Sequence, residues 1–344
     1  MVNLRNDYSE GVHPLILEAL IKSTYEQNFG YGLDSHCQNA TELFKQLTEN
    51  DAIDVHFFSG GTAVNKTVIS YALRPWEAVI CADTGHINVH ETGAIEALGH
   101  KVLTAPNEDG KLTPAGIEKV LREHSTEHMV LPAMVYISNS TELGSIYTKK
   151  ELIALHELCH KYNLYLYLDG ARLSNAMASP FNDITFKDLA TYTDIFYFGG
   201  TKNGAMGAEA CIIVNPHLKR DFRFAMKQNG LLAAKGFILG IQFETLCTDN
   251  LYLELASHAN QMAARLSEFI GNYDYQFLTA TVTNQLFPIL PNEMANKLAK
   301  EVDFEVWGTY DENHTVIRLV TSWATTNEQV EAFKEVFIKI EGEK

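Results

Sequence analysis

Between about residues 50 and 215, short apolar runs alternate with stretches that are long enough for a helix. The runs are rich in β-branched and aromatic residues and contain few polar positions. Such strands are typical of a mostly parallel sheet that helices cover on both faces. The predicted strands lie at residues 55–58, 78–81, 102–104, 129–137, 163–169, 195–198 and 211–214.

The pattern changes after residue 214. Residues 216–268 have the apolar spacing of long helices, most clearly over 256–269. Shorter β-like runs at 284–290, 304–307 and 315–320 then precede a helix around 327–340. We therefore predict a large α/β domain over residues 1–248 and a smaller α+β domain over residues 249–344, with no flexible linker between them.

Composition narrows the class of protein. The 344 residues are 46% hydrophobic and carry a formal net charge of −16, which disfavours nucleic acid or an anionic membrane as a partner. No apolar run reaches the roughly 18 residues of a membrane helix, and the first residues lack a signal-peptide pattern. The five cysteines are scattered and odd in number, which favours reduced thiols and a cytoplasmic location.

Residues 59–62 read Ser-Gly-Gly-Thr and lie between the first predicted strand and a predicted helix over residues 63–71. Glycine lets the backbone approach a ligand, and the free N–H groups at a helix start favour a phosphate. A tight strand-to-helix turn without a ligand has the same pattern. On this segment alone, both interpretations stay open.

Asp169 ends the apolar run at residues 163–169. A carboxylate at the end of a buried strand is costly unless it meets a partner. Arg172 is one candidate partner, and the pair is then only structural. The other candidate is a protonated ring nitrogen of a cofactor, whose proton the charge of Asp169 would hold in place.

Lys202 follows the run at residues 195–198, in the segment Gly-Gly-Thr201-Lys202-Asn-Gly. Partial burial there disfavours the ammonium form, so the amine becomes a nucleophile towards an aldehyde. The 33 residues from Asp169 to Lys202 allow one crossover, so both side chains are expected at one edge of the sheet. A phosphate cradle, a buried carboxylate and a desolvated lysine are what pyridoxal 5′-phosphate requires. We predict a covalent link between that cofactor and Lys202.

Two histidine segments remain. His86 follows the strand predicted at residues 78–81; it is either an ordinary loop residue or a ring that lies flat on the cofactor. His156-Glu157-Leu-Cys-His160 fits HExxH, a zinc-binding pattern on helices. Residues 161–208 contain no Glu or His that would serve as a nearby third ligand, so we predict no metal site. A zinc hydrolase built on His156 and His160 stays a remote alternative.

Residues 169–176, Asp-Gly-Ala-Arg-Leu-Ser-Asn-Ala, and residues 199–209, Gly-Gly-Thr-Lys-Asn-Gly-Ala-Met-Gly-Ala-Glu, closely resemble the low-specificity threonine aldolases. These belong to the pyridoxal-phosphate-dependent β-eliminating lyases with the aspartate aminotransferase fold (fold type I). The resemblance continues, in order, through residues 6–14, 31–34, 60–62, 86–87, 141–144 and 318–323. It implies a mostly parallel central sheet flanked by helices, a cofactor-binding large domain, and an N-terminal segment that reaches the active site.

The resemblance also implies roles for individual residues. Those expected at the cofactor are Lys202, Asp169, His86, Gly61, Thr62, Arg172, Thr201 and Lys235. Those expected at the substrate are Asn6, Arg172, Arg318 and Glu142. Lys235 would reach the phosphate from a neighbouring subunit, because enzymes of this family are dimers of dimers with shared sites; a homodimer or homotetramer is therefore expected.

The implied reaction is retro-aldol cleavage of a β-hydroxy-α-amino acid, such as L-threonine or L-allo-threonine, to glycine and an aldehyde. The catalytic residues would be Lys202 and a base that takes the proton of the β-hydroxyl, for which His86, His90 and Glu91 are the candidates. Many relatives have a histidine near Glu142, whereas the local sequence here is Ser-Asn-Ser-Thr-Glu-Leu-Gly. Substrate choice thus stays open, and the alternative is β-elimination from an aromatic or sulfur-containing amino acid.

Overall fold

The computed structural model describes residues 2–342, so the first residue and the last two residues of the predicted domains lie outside the described residues. The helices are α1 (Pro14–Lys22), α2 (Ser35–Thr48), α3 (Gly61–Ala72), α4 (His86–Val89), α5 (Pro114–Glu123), α6 (Lys149–Tyr162), α7 (Leu173–Met177), α8 (Phe186–Tyr192), α9 (Phe222–Gln228), α10 (Phe237–Leu246), α11 (Leu251–Gly271), α12 (Asn292–Leu298) and α13 (Asn327–Glu341). The strands are β1 (Val2–Asn3), β2 (Asp54–Phe58), β3 (Glu77–Ala82), β4 (Lys101–Ala105), β5 (Asn107–Glu108), β6 (Lys111–Leu112), β7 (Leu131–Ser138), β8 (Tyr165–Asp169), β9 (Ile195–Gly199), β10 (Glu209–Ile213), β11 (Gln285–Leu286), β12 (Ile289–Pro291), β13 (Val302–Asp303), β14 (Glu305–Thr309) and β15 (His314–Val320).

A seven-stranded sheet with the order β2-β10-β9-β8-β7-β3-β4 forms the centre of the larger part of the molecule. All neighbours from β9 to β4 are parallel, whereas β10 is antiparallel to both β9 and β2. Separate clusters of buried apolar side chains cover its two faces. The prediction of a mostly parallel α/β sheet is therefore confirmed, and each predicted strand overlaps an observed one.

Two of the helices that cover the central sheet, α6 and α8, begin where the sequence supplies a cap. Thr148 and Glu151 form a capping box at the start of α6, and Thr185 and Asp188 form another at the start of α8. The start of α3 differs, since its N-cap is Gly60, at φ 139°, and no side chain caps it. Its first N–H groups therefore have no capping oxygen from a side chain.

The C-terminal part has a small antiparallel sheet in which β15 pairs with β11, β12 and β14. Residues 284–290 were predicted as one run but form β11 and β12, which Phe287 and Pro288 separate. Proline cannot donate to a strand ladder, which explains the interruption. Residues 216–268 were predicted as long helices and form α9, α10 and most of α11, with a left-handed residue, Asn250, directly before α11.

Two elements connect the cores. Strand β1 pairs in parallel with β13, and Leu4 packs in the apolar cluster of the C-terminal part. Helix α11 contributes Leu251 and Leu255 to the core of the large sheet and Leu266 to the C-terminal core. Residues 2–4 thus pack with the smaller core, although the sequence places them in the large domain; the boundary at 248 and 249 stays a prediction. Across residues 2–342, no helix has the length and apolar character that crossing a bilayer requires.

Candidate active site

A cavity of about 200 Å³ opens where β7, β8 and β9 end, beside the start of α3. This is the edge at which parallel α/β sheets bind ligands. Most of the predicted site residues line it, namely Gly61, Thr62, His86, Glu142, Asp169, Arg172, Thr201 and Lys202. The fold therefore places predicted site residues in one cavity although they lie up to 141 positions apart in the sequence, from Gly61 to Lys202.

Asp169 is 3% exposed and accepts hydrogen bonds on both carboxylate oxygens. Tyr136 Oη donates to Oδ2 at 2.5 Å and Asn65 Nδ2 donates to the same atom at 3.1 Å. Tyr197 Oη and the N–H of Ala171 donate to Oδ1 at 2.7 and 2.9 Å. Burial acts to raise the pKa of Asp169, but His86, Tyr136, Tyr197 and the N–H of Ala171 lower it below its usual value overall. Asp169 is therefore held as a carboxylate.

Gly60 and Gly61 shape the start of α3. At φ 139°, Gly60 adopts a conformation that residues with a side chain rarely adopt. A Cβ on Gly61 would lie 2.8 Å from Tyr197 Oη, the same atom that donates to Asp169. The N–H groups of Gly61, Thr62 and Ala63 have no acceptor within the helix, and together with the helix dipole they favour a phosphate.

Lys202 lies in the turn after β9 and lines the same cavity as Asp169. Burial and the neighbouring Arg172 guanidinium lower the pKa of the Lys202 amine to about 8, although Asp7, Asp169 and Glu209 act in the opposite direction. About a tenth of the amine is thus uncharged at pH 7, far more than for an exposed lysine. An uncharged amine is the form that attacks an aldehyde.

Arg172 pairs with Asp7, not with Asp169. Its Nε and Nη2 donate to the two carboxylate oxygens of Asp7 at 2.6 and 2.9 Å. Asn284 Nδ2 donates to Asp7 as well, at 2.9 Å. The structural interpretation in which Arg172 neutralises Asp169 is therefore wrong, and Asp169 keeps its charge for another partner.

Arg318 lies on β15, near Arg172 but outside the set of residues that line the cavity. Nη2 forms an ion pair with Glu305, and the guanidinium lies 5.2 Å from the centre of the Trp307 ring. Its Nε is buried without a hydrogen-bond partner among the described residues. Burial and Arg172 lower the pKa of Arg318, and an anion that accepted from Nε would compensate for both effects.

A chain of hydrogen bonds fixes His86. Glu91 Oε1 lies 2.9 Å from His86 Nδ1 and accepts from Asn65 Nδ2 at 2.7 Å. Asn65 also contacts Asp169, and its Oδ1 accepts from Tyr167 at 2.6 Å. The Glu91 carboxylate favours the tautomer with hydrogen on Nδ1, so that His86 Nε2 is left as an acceptor.

Glu142 is a second buried carboxyl beside His86. Its Oε1 accepts from Ser138 Oγ at 2.7 Å and from the backbone N–H of His86 at 3.0 Å. Burial raises its pKa above the ordinary value. Glu142 therefore fixes the start of α4 and presents a carboxyl of weakened acidity to the cavity.

Some predicted residues lie away from the cavity. His90 lies outside its lining, 5.5 Å from the His86 ring and 6.4 Å from Trp307. Glu91 acts on the cavity through His86, and Asn6 accepts from Tyr8 and Ser9 in the turn that carries Asp7. Lys235 is exposed and does not line this cavity.

His156 and His160 lie at the opposite edge of the sheet, beside the first residues of β7 and β8. His156 Nδ1 lies 3.1 Å from the carbonyl oxygen of Tyr192. In the part of the chain that the structure describes, no group of three or more His, Cys, Asp or Glu side chains is arranged to hold a metal ion. Nothing in this arrangement supports the zinc hydrolase.

Sequence reasoning missed several functional candidates: Asp7, Asn65, Tyr136, Ser138, Tyr197 and Glu209. The tyrosines occupy apolar strands, where the pattern gives them the appearance of core residues, and their hydroxyl partners come from other strands. Asp7 and Glu209 lie inside segments that carry the family resemblance, which was the available signal for them.

The donors fit pyridoxal 5′-phosphate. Lys202 offers an amine for the aldehyde, Asp169 a carboxylate for the ring nitrogen, and the start of α3 a set of N–H groups for the phosphate. Gly60, Gly61 and Thr62 line the cavity at the start of α3, where no side chain caps the helix, so the N–H groups there are open to an anionic ligand.

Comparison with known proteins identifies the family of this chain and its fold. The sequence model of the family described as "Beta-eliminating lyase" matches residues 4–292. The chain is 37% identical over 271 residues to the low specificity L-threonine aldolase of Pseudomonas sp. (strain NCIMB 10558), covering 78% of each chain. The structure of Leishmania major threonine aldolase is 49% identical, with a TM-score of 0.97 over 99% of each chain. A Thermus thermophilus aspartate aminotransferase (single mutant), at 14% identity and TM-score 0.75 over 99% of this chain and 91% of that one, shares the fold.

Proposed function

The chain belongs to the β-eliminating lyase family, and we propose that it is a pyridoxal-phosphate-dependent aldolase. It would cleave β-hydroxy-α-amino acids such as L-threonine and L-allo-threonine to glycine and an aldehyde. The similarity to the threonine aldolases of Pseudomonas and Leishmania supports this choice over β-elimination from an aromatic or sulfur-containing amino acid.

The observation that carries the proposal is that one cavity contains an amine that loses its charge easily and a carboxylate that keeps its charge. Lys202 has its pKa lowered to about 8, whereas Asp169 is kept ionised by four hydrogen bonds. An uncharged amine and a carboxylate beside a helix start serve the aldehyde, the ring nitrogen and the phosphate of one cofactor. When bound, pyridoxal 5′-phosphate supplies an electron-accepting ring at the α-carbon of an amino acid.

Two arginines would hold the substrate carboxylate. Arg318 has an unpartnered Nε, and Arg172 is fixed by Asp7 beside it. A guanidinium binds a carboxylate with two parallel hydrogen bonds, which also fixes its orientation. Holding the carboxylate in this way would orient the bond between Cα and Cβ for cleavage.

His86 is our candidate for the base. Glu91 holds its Nδ1, so that Nε2 is free to take the proton of the β-hydroxyl, and the ring lies at the cavity wall. Glu91 is a positioning residue in this proposal. The ring of His90 lies outside the cavity lining, with its centre 5.5 Å from that of His86. Glu142 would contact the substrate from the side of Ser138.

The reaction is tested by product analysis. The enzyme loaded with pyridoxal 5′-phosphate is incubated separately with L-threonine, L-allo-threonine and phenylserine, and glycine, aldehyde, ammonia and keto acid are measured. We expect glycine and the aldehyde in equal amounts, and no product with Lys202→Ala. Ammonia and a keto acid in place of glycine would contradict the aldolase proposal and favour elimination.

We also propose that the protein is a homodimer or homotetramer with sites shared between subunits. Large apolar side chains are exposed along the N-terminal segment: Ile21 (70%), Tyr25 (96%), Phe29 (80%) and Leu33 (58%). An exposed surface of this kind is typical of a protein interface. Lys235 lies next to it, since the carbonyl oxygen of Ala234 accepts from the N–H of Tyr31, and could thus reach a partner's phosphate site.

Analytical ultracentrifugation tests the assembly. The double variant Tyr25→Asp, Phe29→Asp should dissociate, whereas Trp76→Asp, which changes an equally apolar residue that is 57% exposed elsewhere, should not. Monomeric wild-type enzyme would contradict the proposal.

We propose a cytoplasmic location as well, because all five cysteines are free thiols and four of them are buried.

A further inference from the structure

Glu209 occupies a place between the two segments that would surround a phosphate. It is the first residue of β10, where the register pairs it with Phe58 on β2 and with Gly199 on β9. Phe58 leads directly into residues 59–62 and Gly199 into residues 200–202. Glu209 is 4% exposed and lines the same cavity as Thr62 and Lys202.

The carboxyl of Glu209 is bonded to one of these segments. Thr201 Oγ1 donates to Oε1 at 2.5 Å, and the N–H of Gly200 donates to Oε2 at 3.1 Å. A threonine hydroxyl has a single proton. While Glu209 is a carboxylate, that proton is used, and Thr201 offers a ligand only lone pairs, which repel a phosphate oxygen.

Burial, rather than the neighbouring charges, has the largest effect on the protonation state of Glu209. Lys202 favours the ionised form and Asp169 opposes it. Burial outweighs both and raises the pKa of Glu209 to about 7. The other titratable groups that face it are Tyr167, Tyr197 and Tyr252, each with a pKa well above 10, so they remain neutral.

We propose that Glu209 takes up one proton from solvent when a phosphate group binds at the start of α3, and that its hydrogen bond with Thr201 then reverses. Glu209 would donate to Thr201 Oγ1, and the Thr201 hydroxyl would donate to a phosphate oxygen. One proton is gained, no covalent bond changes, and a buried carboxylate no longer faces a dianion. The inference rests on the proposed cofactor site and makes Glu209 a positioning residue for Thr201.

Proton counting by isothermal titration calorimetry tests this. Cofactor-free enzyme is titrated at pH 8 with pyridoxine 5′-phosphate, which lacks the aldehyde and forms no bond with Lys202, in buffers of different ionisation enthalpy. Glu209→Gln is the matched variant, because its amide can donate to Thr201 without a proton from solvent. We expect wild-type enzyme to take up between one-half and one proton more than E209Q.

The pH dependence gives a second measure. With a pKa of about 7 for Glu209 in the free enzyme, the Kd of wild type divided by that of E209Q should rise on the order of tenfold from pH 7 to pH 8.5. The ratio cancels the titration of the probe, which is the same molecule in both titrations. Equal proton uptake and a constant ratio would overturn the inference while leaving the cofactor site in place.

The remaining outcomes are also decisive. A probe that binds neither protein would overturn the cofactor site and this inference together. If E209Q does not fold, infrared difference spectroscopy of wild type decides alone: binding should produce a new protonated-carboxyl band. Binding without that band would overturn the role of Glu209.

Discussion

The buried ion pair between Asp7 and Arg172 offers the sharpest test of how the site is held together. The side chains of Asp7 and Arg172 are 1% and 11% exposed and share two hydrogen bonds, of 2.6 and 2.9 Å. Asp7→Asn keeps the shape but removes the charge, which leaves the guanidinium buried without its counter-ion. Breaking one side of such a pair costs about 3–5 kcal/mol. We expect the lower end, because an asparagine oxygen still accepts one hydrogen bond.

Asp303→Asn is the matched control for this substitution. Asp303 also pairs with an arginine of the N-terminal segment, Arg5, at 2.8 Å, but the two side chains are 35% and 54% exposed. An exposed pair contributes at most about 1 kcal/mol. Equilibrium urea unfolding, followed by circular dichroism at one protein concentration, measures both losses. Losses that agree within about 0.5 kcal/mol would refute the claim that burial makes the Asp7 pair strong.

The difference in unfolding free energy between wild type and Asp7→Asn should also depend on pH in a defined direction. Burial acts to raise the pKa of Asp7, but Arg172, Lys202 and Asn284 lower it below 3.8 overall. A carboxyl whose pKa is lower in the folded state contributes stability that is fully present above the unfolded pKa. The difference between wild type and D7N should therefore be constant from about pH 5 to 6 and shrink below about pH 4. Closer to pH 8 the titration of Lys202, whose pKa Asp7 raises, also contributes to the difference. A difference that shrinks around pH 6 would point to another group.

Three further predictions concern ligand contacts. Gly61→Ala should weaken binding of pyridoxal 5′-phosphate about tenfold, measured by fluorescence titration, because the new Cβ would lie 2.8 Å from Tyr197 Oη; Gly11→Ala, with no atom within 4 Å of its Cβ, should have no effect. Borohydride trapping of pyridoxal 5′-phosphate on Lys202, read by peptide mass spectrometry, should rise through pH 8 and then level off, since the pKa of its amine is about 8; a rise that continues to pH 10.5, as for an exposed lysine, would contradict the burial argument. Arg318→Lys should raise KM for threonine about tenfold with a smaller effect on kcat, because lysine lacks the two-pronged donor of a guanidinium; an unchanged KM would place the substrate carboxylate elsewhere.

The sequence predicted the edge of the sheet where the cavity lies because that information is local. The glycines before α3, Asp169 at the end of β8 and Lys202 after β9 each directly follow an apolar strand, and parallel strands bring their ends together. The crossover between Asp169 and Lys202 is short enough that their common location follows from chain geometry. The family resemblance then assigned roles to these positions.

The partners of those residues could not be predicted in the same way. Asp7 meets Arg172 across 165 residues, and Asn284 joins them from the C-terminal part, so three distant segments form one contact. Tyr136 and Tyr197 belong to strands whose pattern is apolar throughout, and only the pairing of the strands shows that their hydroxyls converge on Asp169. Side-chain hydrogen bonds of this kind depend on register, which a hydrophobic pattern does not specify on a sheet buried on both faces.

The carboxyl groups around the cavity have different protonation behaviour, and this reconciles an acidic lining with an anionic ligand. Asp169 and Asp7 are kept ionised by nearby donors and cations; Asp7 pairs with Arg172, and Asp169 would pair with the ring nitrogen of the proposed cofactor. Glu142 and Glu209 have raised pKa values because burial outweighs their hydrogen bonds. A carboxyl that is readily protonated adds no lasting repulsion to a phosphate or a substrate carboxylate, whereas two more permanent charges at the same positions would. In the proposed function, the ionised pair would face positive groups and the weakly acidic pair would lie beside the bound anions, so that one site would bind a cofactor dianion and an amino acid together.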